Sequence, residues 1–172
     1  MGSMKDKKLG KDVEYLIRDV FLKKGYTFEL SEDDFDKEKD AVLIVNGDRL
    51  RLEIKLETRV FKFNTFTVPV TSNENYNGLY ENQLSKCMNV EVLVFVQRPE
   101  PNDPKGPALR VYLAPPLGER EFVIRQNEHD GRIVAHFPID KMTLLCEIRD
   151  SNILQKYMTK GAGQRAKSLQ YS

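Results

Sequence analysis

The stretch Asp40-Ala41-Val42-Leu43-Ile44-Val45-Asn46-Gly47-Asp48-Arg49-Leu50-Arg51-Leu52-Glu53-Ile54-Lys55 decides the fold. Asn46-Gly47 separates an apolar run from an alternating one, and both residues tolerate the positive φ that a two-residue type I′ hairpin loop requires. Such a loop pairs Val45 with Asp48, and counting outward sets Asp40 directly opposite Glu53. Directly opposed residues share a sheet face, with Cβ atoms about 4.5–5.5 Å apart. The strand period of two brings Lys55 to that face as well. Two carboxylates and a lysine thus converge on one patch, which reads as a metal site with a cationic neighbour. A bulge would shift the count by one, and Asp36 would then replace Asp40.

The second strand supports this register. Leu50, Leu52, Ile54 and Leu56 alternate with Arg49, Arg51, Glu53, Lys55 and Glu57, so one face is apolar and the other charged. Ala41 to Val45 is apolar on both faces, as in a more deeply buried strand. The charged face alone also fits a half-exposed strand with solvated side chains. The opposition of Asp40 and Glu53, together with the helix upstream, favours a site. In that helix, Lys11 to Lys24, the residues Val13, Leu16, Ile17, Val20 and Phe21 form one stripe, and Gly25 supplies the stop. Glu14 lies at the edge of the stripe, where an i,i+4 pair with Arg18 competes with a role at the hairpin.

An aspartate, a hairpin and Glu-x-Lys, preceded by a helix that carries a glutamate, resemble the PD-(D/E)XK nuclease superfamily. That superfamily includes restriction-endonuclease-like enzymes and Holliday-junction resolvases. The resemblance covers about residues 11 to 97 and departs from the motif at Lys39, which stands where proline is usual. It implies an α/β fold with a restriction-endonuclease-like αβββαβ core, built on a mixed central sheet. It also implies a metal-dependent endonuclease that hydrolyses phosphodiester bonds. Asp40 and Glu53 would hold Mg²⁺, with Mn²⁺ as a substitute and the carbonyl of Ile54 as third ligand; Lys55 and Glu14 would complete the catalytic set. Arg49 and Arg51 are candidates for nucleic-acid phosphate, with pairing to Glu57 or Asp48 equally open. DNA is the expected partner ahead of RNA, and a homodimer fits the family. The alternative is an inactive nucleic-acid-binding or protein-interaction module on the same fold.

Downstream, Tyr26 to Leu30 reads as a short edge strand and Val60 to Val70 as a third strand ended near Pro69. Thr71-Ser72-Asn73-Glu74 fits a capping box before a helix marked by Tyr76, Leu79, Tyr80, Leu84, Cys87 and Met88. Gln83 and Lys86 on that helix are expected to face solvent, with a phosphate contact as the second option. Val90 to Val96 is a buried strand. Ala108 to Leu113, Glu121 to Arg125 and Arg132 to Phe137 read as strands of a C-terminal β-rich extension, followed by helix within Asp140 to Met158. His129 reads as a surface turn residue and His136 as structural.

One domain is expected over residues 4–158, with core 11–97, extension 108–158 and a basic tail at 159–172 whose glycines suit a flexible segment. The Met1-Gly2-Ser3 start reads as a cloning leader before Met4. Of the 172 residues, 40% are hydrophobic and 31% charged, which excludes global disorder. The net charge of +1 confines any nucleic-acid surface to a local patch. Cys87 and Cys146 are isolated, which argues against a zinc or disulfide scaffold and for a cytoplasmic protein. No apolar run approaches the ~20 residues of a membrane span.

Overall fold

A computed structural model describes residues 4–30, 41–57, 64–70, 79–99, 106–126, 128 and 131–149. The chain is mixed α/β and strand-rich. Helix α1 (Met4–Lys23) begins upstream of the apolar stripe, because the stripe marks only the part that packs. It ends as its sequence dictates. Gly25 takes φ +90°, its amide donates to the Leu22 carbonyl at 3.0 Å, and the Tyr26 amide donates to the Phe21 carbonyl at 3.1 Å. This is a Schellman stop with its accompanying hydrophobic contact, here the Phe21 and Tyr26 rings with centroids 6.2 Å apart.

Strands β1 (Thr27–Leu30), β2 (Ala41–Val45) and β3 (Asp48–Glu57) form an antiparallel set. The hairpin is as the sequence demands: Asn46 and Gly47 sit at φ +51° and +87°, and the pairs run from Val45–Asp48 to Ala41–Leu52. β4 (Thr65–Pro69) then leaves the sheet, α2 (Leu79–Asn89) follows, and β5 (Val92–Gln97) returns parallel to β3. A parallel neighbour needs such a crossover. β6 (Leu109–Leu113) and β9 (Thr143–Ile148) complete a six-stranded sheet in the order β1-β2-β3-β5-β6-β9. β4, β8 (Ile133–Pro138) and β7 (Val123–Gln126) form a second, three-stranded sheet, β4-β8-β7.

Each face of the large sheet carries its own core. On one face, Leu52 of β3 and Val94 and Val96 of β5 meet Val13, Ile17 and Phe21 of α1. On the other, Leu93 and Phe95 meet Cys87 of α2 and Phe66, Val68, Ala135 and Phe137 of the small sheet. Phe66 stacks on Phe95 with centroids 4.5 Å apart, a geometry that adds about 0.5–1.5 kcal/mol beyond simple burial.

One expectation is corrected. The strand expected over Val60–Val70 does not join the hairpin's sheet; the third antiparallel member of that sheet is β1, the short edge strand. β4 alternates strongly, with Phe66 and Val68 buried, and gives those residues to the small sheet. The described part of Asp140–Met158 is a 3₁₀ turn (Ile139–Lys141) followed by β9, and the helix expected within that range is tested only up to Arg149. A bulge in β9 faces Val111 and Tyr112 with Cys146 and Leu144, leaving Leu145 between them. Leu145 and Cys146 both reach the α1-side cluster, so the period of two that would betray a strand is broken. The expected segment 150–158, the basic tail, the capping box at Thr71 and His129 lie outside the described residues. His136 is structural as expected, its Nδ1 3.0 Å from the Thr65 hydroxyl. No helix among the described residues is long and apolar enough to cross a membrane.

Candidate metal centre around Glu53

Alternation along β3 decides which side chains meet. Its even residues join the α1 core, so Arg49, Arg51, Glu53 and Lys55 project toward α2 and the small sheet. Leu93 and Phe95, the parallel partners of Glu53 and Lys55, form the apolar floor there. Glu53 is 2% exposed and stands among the fully buried side chains of the core.

A buried carboxylate is tolerated only where opposite charge or hydrogen bonding compensates its lost hydration. Two lysines do so. Lys55 Nζ lies 3.3 Å from Glu53 Oε1, and Lys86 Nζ, reaching over from α2, lies 3.7 Å from Oε2. Both ammonium groups are themselves largely shielded, the side chains being 19% and 11% exposed. Lys86 was expected to face solvent, and that expectation fails. Its position beside Cys87, a core residue, was the available signal: a lysine on the flank of a buried stripe can lay its stem along the core and carry its charge inward.

Two arginines fix the helix that presents Lys86. Arg120 is 6% exposed and spends its guanidinium on backbone carbonyls. It donates to Cys87 at 2.7 Å, Val90 at 2.6 Å, Glu91 at 2.9 Å and Pro115 at 2.9 Å. These include carbonyls at the C-terminal end of α2, where a cation also meets the negative end of the helix dipole. Burial pulls the Arg120 pKa down, opposed by Cys87 and Glu91; an arginine nonetheless keeps its charge. Arg51 holds the same turn from β3. It donates to both carboxylate oxygens of Glu91 at 2.9–3.1 Å and to the Asn89 carbonyl at 2.8 Å. The Arg51 hydrogen bond is the chief reason that the Glu91 carboxyl titrates below its ordinary value.

The predicted site residues are thus distributed as follows. Glu53 and Lys55 meet in the cluster. Asp40 lies outside the described residues, as do Asp36 and the side chain of Gln83; the ladder toward position 40 is described up to Ala41–Leu52, one step short of Glu53. In a two-residue hairpin the even residues of β3 direct their backbone groups toward β2, so the Ile54 carbonyl points to the side of β3 on which that ladder runs. Glu14 belongs to α1, on the opposite layer from Glu53, and pairs with Lys11 at 3.6 Å. Arg49 pairs with Glu29 of β1 at 2.9 Å, and Arg51 with Glu91; of the partners considered from sequence, the Glu57 side chain lies outside the described residues. Beyond Lys55 on the same face, Gln97 is 4% exposed, with no hydrogen-bond partner for its Oε1 among the described residues.

The donor chemistry fits a hard divalent cation in kind. Glu53 offers carboxylate oxygen and Ile54 carbonyl oxygen, the ligand types that Mg²⁺ takes. Among the described residues no group of three His, Cys, Asp or Glu side chains could hold a metal. Glu53 is therefore the one carboxylate that the described part of this centre contributes. Comparison with family models, curated proteins and solved structures returns no match.

Proposed function

We propose that this chain is a metal-dependent endonuclease with a restriction-endonuclease-like core. The observation that carries the reading is Glu53: a carboxylate 2% exposed, flanked on its own strand by Lys55 at 3.3 Å. In support, α1 is followed by the antiparallel strands β1 to β3, and β5 returns parallel to β3 after a connection that contains β4 and α2.

Glu53, Asp40 and the Ile54 carbonyl would hold Mg²⁺ or Mn²⁺, which when bound supplies Lewis acidity and a more acidic water. The rest of the chemistry falls to the chain. Water attacks phosphorus in line, the bond to the departing sugar oxygen breaks, and that oxygen leaves with a proton. The Lys55 ammonium would hold a water or a non-bridging phosphate oxygen and stabilise negative charge growing on it. The apolar floor of Leu93 and Phe95 limits competing hydration and so strengthens that interaction. Glu14, on the far layer, would contribute only by reaching past the end of the sheet.

One observation favours a second reading. Lys55 and Lys86 compensate Glu53 within the chain, and Arg51 is engaged with Glu91, so the cluster also suits an ion network that docks α2 in a non-catalytic binding module. A cleavage panel separates the two. Duplex, single-stranded and junction DNA, with RNA counterparts, are incubated with Mg²⁺ or Mn²⁺. The nuclease reading expects cleavage that is lost in Asp40→Ala, Glu53→Gln and Lys55→Ala, with metal binding kept only in the last. Unchanged cleavage by Glu53→Gln would end it; metal loss in Lys55→Ala would assign that lysine to holding the site's shape.

A further inference from the structure

We infer that the open edge of β7 joins two copies of this chain: β7 pairs antiparallel with β7 of a second copy about a twofold axis at Val123, and the two small sheets become one. The inference stands on the fold alone and does not depend on the nuclease reading.

β7 lies at the end of the order β4-β8-β7, so β8 is its one neighbour among the described residues. The direction of its backbone groups follows from β8. The Ile133 carbonyl accepts from the Val70 amide at 2.9 Å, and the Ile139 amide donates to the Asn64 carbonyl at 3.2 Å, so the odd residues of β8 turn their backbone toward β4. The even ones, Val134 and His136, therefore bond to their partners on β7, Arg125 and Val123. Ile124 and Gln126 direct their amides and carbonyls the other way, to the open edge. A regular edge of this kind is a template for another strand. β4 ends in Pro69 and β9 carries a bulge, features that blunt an edge, whereas the β7 ladder runs without interruption.

All four residues of β7 are exposed, Val123 at 51% and Ile124 at 47%. Phe122, just before β7, continues its register, since its ring lies 5.5 Å from that of Phe137, the next partner along β8. A twofold axis sets outward-bonding residues opposite one another. With the axis at Val123, Ile124 exchanges hydrogen bonds with Phe122 of the second copy, and the Ile124 side chain covers that ring. Glu121 then meets Arg125 of the second copy, and Arg125 meets its Glu121. Both side chains are exposed, and neither has an ion-pair partner among the described residues. These pairs fall at non-hydrogen-bonded positions, where opposed side chains come closest. An axis at Ile124 would instead set Arg125 against Val123 and leave Glu121 without a counter-charge. Charge complementarity thus selects a second copy as the occupant and Val123 as the centre.

Sedimentation equilibrium of the full chain, over a concentration series reaching the millimolar range, tests this. Wild type should dimerise reversibly and weakly, because an edge this short covers less than the roughly 1,000 Å² of a stable interface. Glu121→Arg and Arg125→Glu should each weaken the dimer about tenfold or more, since each sets like charges opposite one another. Mixed in equal amounts, the two variants should form a heterodimer as tight as the wild-type dimer, because every facing pair is again of opposite sign; only folded chains can show this rescue. Val123→Cys should form a disulfide-linked dimer under mild oxidation, faster than Ile124→Cys, with wild type as the blank for Cys87 and Cys146. At the axis the two Cα atoms would stand about 4.5 Å apart, within disulfide reach. A wild type that stays monomeric throughout the series overturns the inference, as does a mixture that associates no better than its components. Faster linking of Ile124→Cys overturns the axis at Val123 and the charge pairing with it.

Discussion

Glu53→Gln removes a charge and leaves the shape of the side chain almost unchanged. It takes a carboxylate from beside two ammonium groups, Lys55 and Lys86, and leaves a neutral amide there in a place nearly closed to water. Breaking a buried ion pair at one end destabilises by about 3–5 kcal/mol. The lysines keep 19% and 11% of their side-chain exposure and can turn partly toward water, so we expect the lower end, about 3 kcal/mol. For a chain of this length each kcal/mol lowers Tm by about 2–4 °C, which gives a loss of about 6–12 °C. Thermal unfolding followed by circular dichroism in the presence of a chelator measures it. The pairing of Asp40 with Glu53 leads sequence reasoning to the opposite expectation, a metal-free protein indifferent to losing this carboxylate or stabilised by it, because close carboxylates repel. The two lysines reverse that sign. A Glu53→Gln protein that melts with or above wild type would refute the argument that Glu53 is held by compensation.

Arg120→Met should destabilise by about 3–5 kcal/mol, since four carbonyl contacts of a buried charge are lost together; urea unfolding measures it, and a stability loss below about 1 kcal/mol would contradict it. Glu91→Gln tests the Arg51 pair by pH. The Glu91 pKa is lower folded than its ordinary 4.5, so its contribution is present above that value and is lost as pH falls through the lower, folded pKa. The Tm gap between wild type and Glu91→Gln should therefore be full at neutral pH and close in acid below 4.5. Gly47→Ala should destabilise by about 1–2 kcal/mol, purely through the backbone, since a Cβ there meets nothing within 4 Å and φ is +87°. Gly47→Asn should lose less, because Asn tolerates that region, and equal melting of the two would argue against strain at the turn.

Much of the hairpin's half of the fold was legible because its signals are local. Asn46-Gly47 fixes a turn, the turn fixes the register, and alternation along β3 assigns each side chain to a face. Glu53 and Lys55 could therefore be placed together from the sequence. Lys86 could not. Its role depends on how α2 crosses β3, and that crossing is set by Arg120 and Arg51, each many residues from the helix they clamp. The alternation of β9 was obscured by a bulge, and β4 looked like a neighbour of the hairpin because strand pattern reports burial and not the identity of the partner. The glutamate on α1 was correctly set on the flank of an apolar stripe, but helical periodicity does not say which side of a sheet the helix will cover.

The parallel pairing of β3 with β5 has a consequence for the order of folding. A short hairpin closes in about 1–10 μs, so β2 and β3 can join early around Asn46-Gly47. β5 begins at Val92 and can dock only after the chain between has closed a long loop around α2. Until then Glu53 and Lys55 stand in water on an open strand edge, where their charges need no compensation. Lys86 and the apolar floor arrive together with α2 and β5, so dehydration of the carboxylate belongs to the last stage of assembly. The energetic penalty of Glu53→Gln should then fall almost wholly on the unfolding limb of a chevron, with the refolding rate close to wild type.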